Sequence, residues 1–162
     1  MLIVLNGPPG VGKSTLARRY AADHPPALNL DVDRVRDLIS GDLVTAGVLA
    51  RDIAVAAARV HLAAGHDVVV PQYLGRPEFA ERLESLAREL GVRYAEVVLH
   101  TDREDARRRY RARGGEATDA ELAVLHDRLE RIVTTRRPSV VRSAAGEEDR
   151  AYRDLLAALA QH

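Results

Sequence analysis

The residues best suited to chemistry form a glycine-rich segment near the start of the chain. Gly7 to Ser14 reads Gly-Pro-Pro-Gly-Val-Gly-Lys-Ser and matches the pattern G-x-x-x-x-G-K-[ST] at every position. Glycines let the backbone approach a phosphate without a Cβ in the way, so that N–H groups of the loop can point at the anion. In this pattern the lysine reaches the β- and γ-phosphates and the serine hydroxyl binds Mg²⁺.

The elements predicted on either side of this loop support the same interpretation. Leu2 to Leu5 is a continuous apolar run, which is typical of a strand buried on both faces. Leu16, Ala17 and Tyr20 recur at helical spacing after the loop. We therefore expect ATP and Mg²⁺ to bind here, with Ser14 as the metal ligand; the alternative is an unrelated turn at a helix start. The predicted nucleotide contacts are Gly7, Pro8, Pro9, Gly10, Val11, Gly12, Lys13, Ser14 and Thr15.

Lysine is almost absent from the chain, which makes its single occurrence informative. Of the 24 basic residues, 23 are arginine and one is Lys13. A coding bias toward arginine explains this wherever only a positive charge matters. Lysine is a compact point charge, whereas arginine is a broad planar fork. We therefore interpret Lys13 as a catalytic residue that arginine cannot replace.

Two aspartates follow the second predicted strand. Ligands of parallel sheets bind at the carboxyl ends of the strands, so Asp31 and Asp33 are expected beside the γ-phosphate. A hydroxyl becomes a better nucleophile when a carboxylate accepts its proton. Asp33 is the predicted base, and Asp31 is the second candidate or an outer ligand of Mg²⁺. Arg36 is predicted to hold a polar or anionic substrate. The simpler alternative is that either aspartate only caps the following helix.

Arginines are concentrated before the Gly114-Gly115 pair, where a mobile segment is expected. Arg109 and Arg113 are spaced i,i+4 and are predicted to bring positive charge to the transition state from a short lid at about 109–118. The alternative is a solvated basic face balanced by nearby acidic residues. Tyr73 and Arg76 follow the third predicted strand, where we expect contacts with the substrate.

Strands alternate with helices along the chain, which predicts a three-layer α/β fold. We expect a mostly parallel sheet of about five strands, with helices on both faces, in a single domain over 1–162. A capping box is predicted at Thr101 to Glu104, and a turn region between Gly41 and Gly47. The predicted strands are 2–5, 27–30, 67–71, 95–99 and 140–141. The later helices are predicted at 32–39, 48–64, 76–90, 101–113, 118–135 and 147–160.

The composition excludes several classes of function. The formal net charge is zero, so no general affinity for nucleic acid or acidic membranes is expected. The absence of cysteine excludes disulfides and thiolate chemistry, and the six histidines show no metal-binding spacing. No apolar run approaches the ~20 residues that span a bilayer. We expect a cytoplasmic protein that acts as a monomer or homodimer.

The glycine loop, the segment after Asp31 and the arginine-rich lid together resemble the small nucleoside-kinase-like P-loop phosphotransferases. These include chloramphenicol phosphotransferase, gluconate and shikimate kinases, and the kinase domain of phage polynucleotide kinase. The Asp33-x-x-Arg36 spacing is similar to the polynucleotide kinase and zeta-toxin pattern, in which the aspartate is the base. Residues 68–72 followed by 76–79 are similar to a segment of the tunicamycin-resistance proteins.

This resemblance implies transfer of the γ-phosphate of ATP to a hydroxyl of a small metabolite or antibiotic. Two alternatives stay open: a kinase of nucleotide or polynucleotide 5′-hydroxyls, and a non-catalytic ATP-binding resistance or switch protein. One residue departs from the pattern, because many of these kinases end the third strand with an aspartate that holds magnesium-bound water. Here Gln72 follows that strand and brings no charge, so the resemblance leaves magnesium to Asp31 or Asp33.

Overall fold

A computed structural model describes all 162 residues. Its five strands, numbered along the chain, are parallel and form one sheet in the order β2-β3-β1-β4-β5. The strands are β1 (Leu2–Asn6), β2 (Leu28–Asn29), β3 (Val68–Pro71), β4 (Tyr94–His100) and β5 (Ser139–Arg142). The helices are α1 (Lys13–Asp23), α2 (Val32–Asp37), α3 (Leu43–Ala63), α4 (Glu78–Glu89), α5 (Arg103–Ala112), α6 (Asp119–Arg136) and α7 (Glu148–Leu159). The predicted three-layer α/β fold is confirmed, and every strand pair is parallel.

The two faces of the sheet carry separate hydrophobic cores, and β1 contributes to both. Side chains alternate along a strand, so Leu2 and Val4 pack with α2, α3 and α4, whereas Ile3 and Leu5 pack with α1 and α7. All four side chains are fully buried. This double burial explains the continuous apolar run and fixes β1 at the centre of the sheet, where its carboxyl end delivers the glycine loop.

Two local predictions were wrong, both at the start of a helix. The helix expected from residue 48 begins at Leu43, because the Asp42 carboxylate accepts hydrogen bonds from the N–H groups of Val44 and Thr45. Gly47 therefore lies within α3 instead of at a turn. The capping box expected at Thr101 is absent, since the Thr101 hydroxyl donates to the Asp105 side chain instead.

Helix α6 begins with the capping box that α5 lacks. The Thr118 side chain accepts a hydrogen bond from the N–H of Glu121, and the Glu121 carboxylate accepts one from the N–H of Thr118. Thr118 is therefore the N-cap of α6. None of the seven helices combines the length and the apolar character that a membrane-spanning segment needs.

A charged residue is buried in the middle of β4. Glu96 is 5% exposed, and its carboxylate accepts a hydrogen bond of 2.7 Å from Nε of Arg136, at the end of α6. The same guanidinium donates to Glu84 on α4 at 2.9 Å. Arg136 therefore ties β4 to two helices and neutralises a carboxylate that has little access to water.

We predict that Arg136→Met lowers the free energy of unfolding by about 3–5 kcal/mol, because it leaves Glu96 buried without a counter-charge. Glu84→Gln should cost less than about 1 kcal/mol, since Glu84 is partly exposed and Arg136 keeps its other partner. Urea denaturation of both variants measures the difference. Equal losses of unfolding free energy in the two variants would contradict the claim that the buried Glu96 needs Arg136 as its counter-charge.

Candidate functional site

The glycine loop joins β1 to α1 and is packed too tightly for side chains at two of its glycines. Gly7 and Gly10 have φ of 150° and 84°, a region that favours glycine. A Cβ at Gly7 would lie 2.7 Å from the carbonyl oxygen of Leu99, and one at Gly10 would lie 2.8 Å from that of Ala106. The loop is therefore held against the end of β4 and against α5, which fixes the path of its backbone.

The ammonium of Lys13 is enclosed by the loop that precedes it. Its Nζ donates to the carbonyl oxygens of Gly7 at 2.8 Å and Pro8 at 3.0 Å. The pKa of Lys13 is lowered to about 8, chiefly because the ammonium is buried; the carboxylates of Asp33 and Asp31 oppose this shift, and the positive charge of Arg113 adds to it. The structure therefore brings these predicted site residues close enough to act on one ammonium.

Asp31 and Asp33 differ in how the fold uses them. Asp31 is the N-cap of α2, and its side chain accepts a hydrogen bond of 3.1 Å from the N–H of Asp33. The Asp33 side chain caps nothing: it is 56% exposed and accepts a hydrogen bond of 2.9 Å from Arg36. The alternative that an aspartate caps the helix therefore holds for Asp31. The Asp33 carboxylate is instead paired with Arg36 and is exposed, so that a substrate can reach it.

The two arginines of the predicted lid occupy different positions. Arg109 is 14% exposed, donates to the carbonyl oxygen of Ser143 at 2.8 Å, and lies 3.6 Å from Asp105. Its guanidinium also faces Gly12, where a Cβ would lie 3.4 Å from Nη2. Arg113, at the end of α5, forms no ion pair and is exposed, although it is close enough to lower the pKa of Lys13. Arg109 thus flanks the loop from the α5 side, whereas Arg113 is exposed at the end of α5.

Two buried polar residues that the sequence analysis did not single out hold the loop in place. Asn6, fully buried, accepts hydrogen bonds from the N–H groups of Gly7 (2.7 Å) and Leu74 (2.8 Å) and donates to the carbonyl oxygen of Leu74 (3.0 Å). Ser143, after β5, donates to the carbonyl oxygen of Val11 at 2.6 Å. The signal for Asn6 was a polar residue that ends an apolar run; nothing in the sequence linked Ser143 to the loop.

The residues after β3 lie beside the loop. The N–H of Gln72 donates to the carbonyl oxygen of Leu5 at 3.0 Å, and its side-chain oxygen is buried without a hydrogen-bond partner. The Tyr73 hydroxyl donates to the carbonyl oxygen of Leu125 in α6 at 2.9 Å, and Arg76 is exposed. Tyr73 and Arg76 line the same cavity, of about 370 Å³.

The residues present fit a magnesium ion that arrives with a nucleotide. No group of three or more histidine, aspartate or glutamate side chains could hold a metal by itself. Mg²⁺ is usually bound through one or two protein groups together with substrate phosphates and water. The exposed Ser14 at the start of α1, the unpaired oxygen of Gln72 and the two aspartates near Lys13 provide such groups.

The all-parallel sheet and the glycine loop at the end of its central strand define a P-loop protein with a kinase-like architecture. The chain belongs to the AAA domain family AAA_33, whose model matches residues 2–138. No curated protein is similar enough in sequence to match the chain.

Solved structures share the fold over most of the chain. A gluconokinase from Sinorhizobium meliloti 1021 is 22% identical with a TM-score of 0.69, over 98% of this chain and 91% of its own. The Deinococcus radiodurans tunicamycin resistance protein is 18% identical with a TM-score of 0.68, over 94% and 91%. Chaetomium thermophilum Kti12 in complex with ADP-AlF3 is 16% identical with a TM-score of 0.67, over 95% and 94%. The expectation of a small P-loop kinase-like protein is thereby confirmed.

We predict that nucleotide binding takes up a proton at Lys13. Anionic phosphates favour the ammonium, so binding raises a pKa that is about 8 in the free protein. The affinity for an ATP analogue should therefore fall as the pH rises above about 8, by at most about tenfold per pH unit. Calorimetry in two buffers of different ionisation enthalpy measures the proton uptake.

The matched control is Lys13→Met, which binds more weakly but has no ammonium to titrate. Its affinity should be nearly independent of pH over the same range. A wild-type affinity that stays constant between about pH 7.5 and 9.5, without proton uptake, would contradict the placement of the ammonium against the phosphates.

Proposed function

We propose that this protein is an ATP-dependent phosphotransferase that moves the γ-phosphate to a hydroxyl of a small molecule. The observation that carries the proposal is the glycine loop at the end of the central strand, which holds the Lys13 ammonium between its own carbonyls of Gly7 and Pro8. The charges of Asp33, Asp31 and Arg113 act on the same ammonium. Phosphoryl transfer requires positive charge around the phosphate and a proton acceptor for the incoming hydroxyl. Lys13 and Arg113 supply the positive charge, and the aspartates supply the proton acceptor.

In this proposal the loop binds and orients the nucleotide. The N–H groups between Gly10 and Ser14, at the end of the loop and the start of α1, would point at the β- and γ-phosphates. Lys13 would turn from the carbonyls of Gly7 and Pro8 toward the transferred group. Ser14 binds Mg²⁺, which when present neutralises charge on the phosphate oxygens. Arg109 lies beside Gly12 and contacts the bound nucleotide, whereas Arg113 closes over the γ-phosphate.

Asp33 is the proposed base for the acceptor hydroxyl. Its carboxylate is exposed and accepts from only one side-chain donor, Arg36, so that further lone pairs are available to a substrate hydroxyl. Asp31 is largely occupied by the start of α2, where its carboxylate accepts a backbone N–H. Arg36 holds Asp33 in place and adds a donor for the acceptor molecule.

One observation favours a second candidate, a nucleotide-dependent binding protein without transfer activity. Gln72 stands at the end of β3, where an aspartate in related kinases would hold magnesium-bound water, and its side-chain oxygen is unpaired. A neutral ligand here stabilises the metal less than a carboxylate does. Slow ATP turnover without any phosphorylated acceptor would favour this candidate over the kinase.

We predict that Asp33→Asn lowers kcat by about 10²- to 10⁴-fold, because the amide keeps the shape of the side chain but cannot accept the proton. The affinity for ATP should stay nearly constant. Asp31→Asn should retain most activity, since asparagine is an equally good helix cap. Steady-state kinetics with an identified acceptor, at low and high Mg²⁺, measures both variants.

Three outcomes assign the two carboxylates. Recovery of Asp33→Asn at high Mg²⁺ would assign Asp33 to the metal instead of the proton. If Asp33→Asn keeps the wild-type kcat and Asp31→Asn is inactive, the base is Asp31. Full activity in both variants would overturn the mechanism while leaving the nucleotide site in place.

A further inference from the structure

A second concave surface lies beside the glycine loop, between the end of β3 and helices α3, α4 and α6. Its volume is about 370 Å³. Leu74, in its wall, is tied by both backbone groups to Asn6, which directly precedes the loop. The residues that line it are Arg51, Tyr73, Leu74, Gly75, Arg76, Glu78, Phe79, Arg82 and Arg128. We call this surface the arginine cavity.

The arginine cavity holds positive charge that the protein does not neutralise. The chain as a whole has no net charge, and more than half of its 23 arginines form ion pairs with carboxylates. Of the four arginines in the cavity, only Arg82 is paired, with Asp52 at 2.7 Å. Arg51, Arg76 and Arg128 have no carboxylate partner within 4.0 Å, and Glu78 is the one acidic residue in the wall.

The start of α4 adds hydrogen-bond donors to the same wall. The N-cap of this 12-residue helix is Pro77, which offers no side-chain acceptor to the first turn. The N–H groups at the start of a helix have no intrahelical partner and carry the positive end of the helix dipole. Glu78 and Phe79, the first two residues of α4, line the cavity. Three guanidinium groups without a carboxylate partner, of which that of Arg51 donates to the carbonyl oxygen of Gly47, and a helix start without a side-chain cap therefore line one concave surface.

The arginine cavity is adjacent to the proposed transfer site and separate from the residues that would bind ATP. None of its lining residues belongs to the glycine loop or to α5. Tyr73 lies between Gln72, which is hydrogen-bonded to the end of β1, and Leu74, which is clamped by Asn6. A molecule that extends from the γ-phosphate position along the end of β3 would enter this cavity.

We propose that the phosphoryl acceptor carries an oxyanion group, a carboxylate or a phosphate, which binds in the arginine cavity through Arg51, Arg76 and Arg128. This inference rests on the proposed function, because it defines the acceptor of that reaction. The planar guanidinium fork matches both carboxylate and phosphate oxygens. The oxyanion fixes one end of the acceptor, so that a hydroxyl at its other end can face Asp33.

The experiment is a titration of the full-length ¹⁵N-labelled protein, followed by the Nε–Hε signals of its arginine side chains. The glycine loop is first saturated with a non-hydrolysable ATP analogue and Mg²⁺, so that added anions report only on other sites. The probes are inorganic phosphate and malonate, with chloride at equal ionic strength as the reference. We expect saturable shifts at Arg51, Arg76 and Arg128, with a dissociation constant of about 1 mM for the preferred probe.

The two probes distinguish the two sources of the oxyanion. Saturation by malonate alone assigns a carboxylate acceptor, and saturation by phosphate alone assigns a phosphorylated one. Shifts that stay linear up to about 50 mM with both probes, or that equal those with chloride, overturn the proposal.

Four variants test the residues. Arg128→Gln should weaken binding of the preferred probe by about ten- to hundredfold. Arg51→Gln, at an exposed position of α3, repeats the test if Arg128→Gln fails to fold. Arg153→Gln removes the same charge from α7, away from the cavity, and should leave the affinity unchanged. Asp52→Asn frees Arg82 and should tighten binding. Equal effects of Arg128→Gln and Arg153→Gln would contradict a defined anion site.

Failure of the acceptor site and failure of the proposed function have different signatures. Saturable shifts of the arginine signals in a protein that phosphorylates no acceptor would support the anion site and contradict the proposed kinase activity. Phosphorylation of a neutral acceptor, with no response of the arginine signals, would support the kinase activity and contradict the claim that the acceptor carries an oxyanion.

Discussion

The site depends on the close packing of the glycine loop against the end of β4 and against α5. Gly7 and Gly10 leave no room for a Cβ, and the carbonyls that they meet belong to Leu99 and Ala106. The hydrogen bonds of Asn6 and Ser143 hold the loop from two further sides. Because its backbone is fixed in this way, the loop can present N–H groups to an anion without a large ordering cost when the ligand binds.

A fixed loop also sets the electrostatics of the neighbouring residues. It encloses the Lys13 ammonium, lowers its pKa to about 8, and keeps it near two carboxylates and Arg113. The side chain of Asn6, which is hydrogen-bonded to Gly7, is also hydrogen-bonded to Leu74 and so positions Leu74 in the wall of the arginine cavity. In our proposals the site thus has three consecutive parts: a cationic loop for the nucleotide, carboxylates for the hydroxyl, and guanidinium groups for an acidic end of the acceptor.

Sequence alone predicted the parts of the site that are local in the chain. The glycine loop is one uninterrupted pattern, and Asp31 and Asp33 follow a strand directly, so spacing was enough to place them. Periodicity also predicted the layers of the fold, but not the start of α3, which a single carboxylate at Asp42 determines. The different positions of Arg109 and Arg113 depend on Ser143, 34 residues after Arg109, and no spacing rule links them. Of the arginine cavity, only Tyr73 and Arg76 were expected to contact the substrate. Arg51 and Arg128 were missed for the same reason, because they meet Arg76 only after α3, α4 and α6 have packed.

The most direct test of the account is phosphate transfer by Lys13→Arg. The Lys13 ammonium is a compact point charge that donates to the carbonyls of Gly7 and Pro8, and a broad planar guanidinium does not reproduce that position. Wild type and variant are incubated with γ-labelled ATP and a mixture of hydroxylated carboxylic acids, sugar phosphates and neutral alcohols, and labelled organic products are quantified. We predict a loss of at least about a hundredfold in transfer, with unchanged circular dichroism and thermal stability. Transfer by Lys13→Arg at the wild-type rate would contradict the central claim that this lysine acts on the transferred phosphate.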